Sequence, residues 1–162
     1  MRRIFLVSVL LLAGCAHGRF VDPSESIMPS SEEPSNSTSV AGPVYIPSYM
    51  LNPAVKQNNI KDNICKPGYT DTIRPPSSYT TNLKKQQLVG KSDQDLSHYE
   101  EDHWIPLELG GNPIDAHNLW PEPIAEAKKK DVRENADHLK VCNGTMTLEQ
   151  AQIEMFTNWG PR

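Results

Sequence analysis

The sequence predicts an α+β domain in the order hairpin, helix, connector, helix. Two short extended segments, Tyr99 to Leu109 and Asn118 to Trp120, are joined through the turn region Gly110-Gly111-Asn112-Pro113. Ile124 to about Lys140 then runs rich in Ala, Lys, Glu and Leu with no breaker, behind Pro121 and Pro123, which suit a helix start. A last helix is marked by the capping box Thr147-Leu148-Glu149-Gln150. Its apolar residues Leu148, Ala151, Met155, Phe156 and Trp159 recur at helical spacing until Gly160-Pro161 stops the pattern.

Upstream, Cys65-Lys66-Pro67-Gly68-Tyr69-Thr70 carries a Pro-Gly turn, and Ile73-Arg74-Pro75-Pro76 reads as extended. Asn82 can cap a short helix over Leu83 to Val89, ended by Gly90. At 162 residues the chain has room for one modest domain, expected over 55–162. From Ala16 to about Pro53 it is rich in Ser, Pro, Glu and Asn with few apolar residues, so 16–54 is expected to be a disordered tether.

Residues 1–15 combine Arg2 and Arg3, an apolar run from Ile4 to Leu12 and small residues before Cys15. This is the pattern of a bacterial secretion signal, too short to remain as a spanning helix. Leu12-Ala13-Gly14-Cys15 resembles the lipobox of lipoproteins, which implies acylation of Cys15 and cleavage before it; a plain secretory signal is the alternative. Several acyl chains would hold the protein stably at a membrane. By the same resemblance, uncharged Ala16 implies the outer membrane, facing the periplasm.

With Cys15 lipidated, Cys65 and Cys142 are left in an oxidising compartment, where a disulfide between them is expected; two buried free thiols are the other arrangement. The formal net charge of −4 is awkward for a nucleic-acid partner, because phosphate contacts favour Lys and Arg. Charge acts locally, and Lys84-Lys85 and Lys128-Lys129-Lys130 form basic runs, although such runs are commonly solvated surface.

The chemistry centres on Asp102-His103. Phosphodiester hydrolysis needs a base for water and a cation for the charge growing on the leaving oxygen. Histidine, with an ordinary pKa near 6.5, suits the first task. A carboxylate that binds Mg²⁺ through oxygen suits the second. Adjacent residues on a strand point to opposite faces, so a bulge or strand end is needed if both are to reach one site.

Asp102-His103-Trp104-Ile105-Pro106-Leu107, the Gly-Gly turn and Asn118-Leu119 resemble the HNH endonucleases, the ββα-metal nucleases. More closely, the chain is similar to secreted bacterial members with Cys-x-Pro-Gly-Tyr-Thr upstream. Those members also carry Asn-Leu-Trp-Pro-Glu-Pro, matched by 118–123, Lys-Asp-x-x-Glu, matched by 130–134, and Val-Cys-x-Gly, matched by 141–144. The resemblance runs from about Cys65 to Trp159. It implies a small ββα-metal core with flanking helices, and metal-dependent cleavage of nucleic acid, DNA before RNA.

It further implies that Asp102 binds a divalent ion, with Mg²⁺ expected and Mn²⁺ or Zn²⁺ as alternatives, that His103 is the general base and that Asn118 ties the hairpin loop. Many family members place His or Asn on the following helix. Here Ala125-Glu126-Ala127 stands in that region, with Glu126 either a second metal ligand or a solvated helix residue. Lys130, Asp131 and Glu134 read as a helix-surface ion network, with phosphate contact by Lys130 as an alternative. His117 reads as a loop histidine, His138 as a partner for a helix C-terminus and Trp104 and Trp120 as hairpin core. Arg74 has no role that the sequence assigns. A non-catalytic envelope lipoprotein that keeps the scaffold as a binding module is the rival reading.

Overall fold

The computed structural model describes residues 42–161; the expected secretion signal, Cys15 and the part of the expected tether up to residue 41 lie outside the described residues. The elements run α1 (Tyr69–Ile73), α2 (Ser77–Gln87), β1 (Tyr99–His103), β2 (Leu119–Pro123), α3 (Ile124–Asn143) and α4 (Leu148–Asn158). The architecture is a two-stranded antiparallel sheet surrounded by helices, an α+β arrangement. β1 and β2 pair from Tyr99↔Pro123 to His103↔Leu119, and β2 leads straight into α3.

The first strand is shorter than the sequence pattern predicts, for a local reason. The Ile105 N–H donates to the side chain of Asn118, and Pro106 has no N–H to give to a ladder. Leu107–Leu109 therefore turns as a short 3-10 helix, whose Leu107 and Leu109 are buried.

Two boundaries upstream also differ. α2 begins at Ser77, not Leu83, because Pro76 at its N-cap is extended (φ −57°, ψ 143°) and the polar residues after it are free to wind. Asn82 lies inside that helix, which buries no residue fully and so leaves little apolar pattern to read. The packed chain also starts before Val55. Met50 is 2% exposed in the core, and Leu51 forms a bridge with Gly111. Those two apolar residues sit in a stretch whose composition otherwise reads as tether.

The core gathers Met50, Ile60, Ile64, Ile105, Leu109, Val141, Ala151 and Met155. α4 is capped as expected, with Thr147 accepting from the Gln150 amide and the Gln150 side chain accepting from Thr147 N–H. Trp104 joins the hairpin to α4 by stacking on Phe156 at 4.8 Å and donating from Nε1 to the Phe156 carbonyl at 3.1 Å. That is the core role expected of it.

Cys65 and Cys142 are joined in a disulfide that ties the chain ahead of α1 to the last turn of α3. The two are 77 residues apart in sequence, a loop whose closure entropy in the unfolded chain is worth about 4 kcal/mol. Replacing both cysteines with alanine should lower unfolding stability by about 2–5 kcal/mol. Urea unfolding of the variant beside the wild type measures this; an unchanged midpoint would show that the bridge does not constrain the unfolded chain.

Candidate functional site around His103

Asn118 organises the loop that presents the site. Its buried side chain accepts from Ile105 N–H at 2.8 Å and donates to the carbonyls of Ile105 and Asn112, both at 3.0 Å. Three backbone groups on the two arms of the hairpin are thus satisfied by one amide. The loop closes so tightly that a Cβ at Gly111 would lie 1.7 Å from the Ile105 carbonyl oxygen, so only glycine fits there. The expectation that Asn118 ties the hairpin loop matches this geometry.

His103 closes β1 and is 4% exposed, and its Nε2 lies 3.1 Å from the Pro113 carbonyl. A carbonyl only accepts, so Nε2 carries the hydrogen and Nδ1 of the neutral ring keeps its lone pair. Among the described residues Nδ1 has no hydrogen-bond partner, and His103 lines open cavities. Burial pushes His103 below the usual histidine range, which keeps the ring unprotonated at neutral pH.

Asp102 and His103 both line one polar cavity of about 190 Å³, together with Arg74, Glu108, Asp131 and Glu134. The ladder is regular through His103, so the strand end, not a bulge, brings the two neighbours together. A groove of about 430 Å³ runs beside β1 and α2, lined by Arg74, Ser77, Thr80, Lys84, Glu101 and His103. His103 and Arg74 line both spaces. Lys84 is committed to structure, its Nζ donating to the Leu96 and Tyr99 carbonyls, whereas the Arg74 side chain is exposed.

Asp102 does not stand open. Oδ1 accepts from His103 N–H at 2.7 Å, and Oδ2 accepts from Lys130 Nζ at 2.7 Å. Lys130 is fully buried, so the reading of a helix-surface network is corrected: it points inward, donating also to the His103 carbonyl at 2.8 Å and to Glu134. Burial alone would raise Asp102, but Lys130, Glu122 and the His103 amide together hold it below the usual carboxylate range. Burial would likewise lower Lys130, and Asp102 and Glu134 outweigh it.

The excess of carboxylates shows in their protons. Burial, then the neighbouring Asp102, pushes Glu122 up to about 8, and burial pushes Glu134 and Glu101 up to about 7.

Glu126 is not brought to Asp102. It sits exposed in the first turn of α3, 2.8 Å from Lys129, and lines a different cavity with Trp120, Glu122 and Trp159. The pair expected to hold Mg²⁺ is therefore not assembled, because the helix phase turns Glu126 away while Ala127 and Lys130 face inward. His117 is exposed and bonded to Asp115, as expected of a loop histidine. His138 donates from Nε2 to the Ile64 carbonyl at 2.8 Å, in place of a helix-end role.

Among the described residues, Cys65, His138 and Cys142 have ligand atoms within 4.8 Å of one another and could hold a metal. Their two sulfurs are joined, however, and a disulfide offers no thiolate.

Lys130, Glu134, Glu122 and Arg74 are the site residues to which sequence reasoning gave no such part. The signal for Lys130 was its phase: Ala127, Lys130, Asp137 and Val141 form the buried stripe of α3. No family model, curated protein or solved structure matches this chain.

The raised carboxyls fix a pH dependence. Folded Glu122 keeps its proton to about pH 8, whereas the unfolded carboxyl releases it near 4.5, so stability from this group is lost as pH rises between those values. His103 has the opposite sense, its contribution being lost as pH falls below about 6.5. The urea midpoint should therefore fall from about pH 6.5 to 8, and less steeply in Glu122→Gln. Equal slopes in the two proteins would assign the titration elsewhere.

Proposed function

We propose that this chain hydrolyses phosphodiester bonds in nucleic acid, as an HNH-type nuclease fixed to the outer membrane of a bacterial envelope through acylated Cys15. In this reading β1, the Asn118-tied loop, β2 and the start of α3 are the ββα core. The presentation of His103 carries the proposal: Nε2 is anchored on the Pro113 carbonyl and Nδ1 is left as an accessible base beside an exposed arginine. Anchoring fixes the ring's direction, and burial keeps it neutral, the two properties a general base needs near pH 7.

His103 Nδ1 removes a proton from water as the water oxygen bonds to phosphorus, and the ester P–O bond breaks. The proton then passes to the departing oxygen, so one product carries a hydroxyl and the other the phosphate. Arg74, shared by the groove and the cavity, supplies the guanidinium that contacts phosphate oxygens. Asp102 acts behind His103 by fixing the strand end through the His103 amide.

The divalent ion implied by the family resemblance does not fit the residues expected to hold it, since Asp102 is engaged by Lys130 and Glu126 lies at another cavity. The occupied Asp102 is also the observation that favours the rival reading, a non-catalytic binding module.

His103→Ala should reduce cleavage of plasmid DNA or single-stranded RNA by at least about 10²-fold while leaving the circular dichroism spectrum unchanged. Cleavage by the variant at the wild-type rate would refute the assignment of the base. A folded wild type that cuts neither substrate would favour the binding module.

A further inference from the structure

We infer that the Lys130 ammonium stands in the place of a divalent cation at Asp102, so that hydrolysis at His103 proceeds without a metal bound there. This rests on the nuclease reading of the site. The coordination of Nζ carries it. It has three oxygen partners: Asp102 Oδ2 at 2.7 Å and the His103 carbonyl at 2.8 Å, both on β1, and Glu134 on α3. An ammonium has three hydrogens, and each has an acceptor. The side chain is fully buried, so Lys130 cannot itself touch a substrate.

A magnesium ion at the same carboxylate would need six oxygens in near-octahedral array at about 2.0–2.1 Å. Asp102 Oδ2, the His103 carbonyl and Glu134 are already held by a cation that repels it. Among the described residues, no third His, Asp, Glu or Cys completes a ligand group with Asp102.

The ammonium performs the part of a metal's work that needs no contact with substrate. It neutralises Asp102 and clamps the end of β1, including the His103 carbonyl, against α3. It cannot bind phosphate oxygens as a metal does, which leaves that contact to Arg74 in the open part of the cavity. Lys130 is a positioning residue.

The test is titration of the full chain with Mn²⁺, followed by calorimetry and by the electron paramagnetic resonance of free Mn²⁺. Wild type should show no Asp102-dependent site. Lys130→Ala should gain one Mn²⁺ per chain, lost again when Asp102→Asn is added. A wild-type site abolished by Asp102→Asn overturns the inference, and so does a folded Lys130→Ala chain that takes no ion. If Lys130→Ala folds only with metal, recovery of its fold by Mn²⁺ supports the inference; failure to recover overturns it.

Cleavage is read alongside. Cutting that persists in EDTA supports metal-free hydrolysis, and cutting that requires Mg²⁺ overturns it. A wild type that cuts nothing counts against the nuclease reading, while the Mn²⁺ result still decides what occupies Asp102.

Discussion

A buried ammonium held by two carboxylates and a carbonyl sets the geometry on which the site depends. Taking Lys130 and Asp102 out of water costs several kcal/mol for each ion, and their attraction offsets this only because every hydrogen of the ammonium finds an oxygen. Such a cluster contributes little net stability compared with an apolar core. Removing one partner, however, leaves an uncompensated charge and typically costs about 3–5 kcal/mol. The cluster therefore acts as a constraint: it permits one distance and one rotation between β1 and α3.

The hairpin loop supplies a second, independent constraint that converges on the same residue. Asn118 binds both sides of the loop, and Gly111 lets the backbone pass close to Ile105. Together they place the Pro113 carbonyl where His103 Nε2 can reach it. One histidine is thus fixed from two directions, its backbone by Lys130 and its ring by the loop, with only Nδ1 left unengaged. Rigid support of this kind is what a base needs if reacting atoms must be aligned within a fraction of an ångström.

How much of this was legible in the sequence depended on whether the cause was local. The capping box at Thr147, the breaker-free run of α3 and the Gly-Gly turn are written within a few residues and were readable. The start of α2 is not marked because none of its residues is fully buried, so no apolar period points to Ser77. The family resemblance points to Glu126, but a motif position does not set helix phase. The buried stripe of α3 does, and it passes through Lys130. A lysine in that stripe is rarely taken as buried unless its partner is known, and the partner lies 28 residues upstream on a strand. Met50 was hidden for a related reason, as a single anchor in a tether-like composition says nothing of the core it enters.

The acidic composition is less adverse to a phosphate partner than the formal charge of −4 implies. Three carboxyls near the site keep protons close to neutrality: Glu122 to about 8, and Glu101 and Glu134 to about 7. Each protonated carboxyl removes one negative charge from the potential that an approaching phosphate meets. Lys130 cancels Asp102 within the wall of the cavity. What faces the opening is then set largely by Arg74 and by the groups around it, because screening weakens exposed charges beyond about 8–10 Å. The same burial that keeps His103 unprotonated thus lowers the charge of the carboxyls that would repel its substrate. A base kept in its neutral form and tolerance of an anion have one physical origin in this fold.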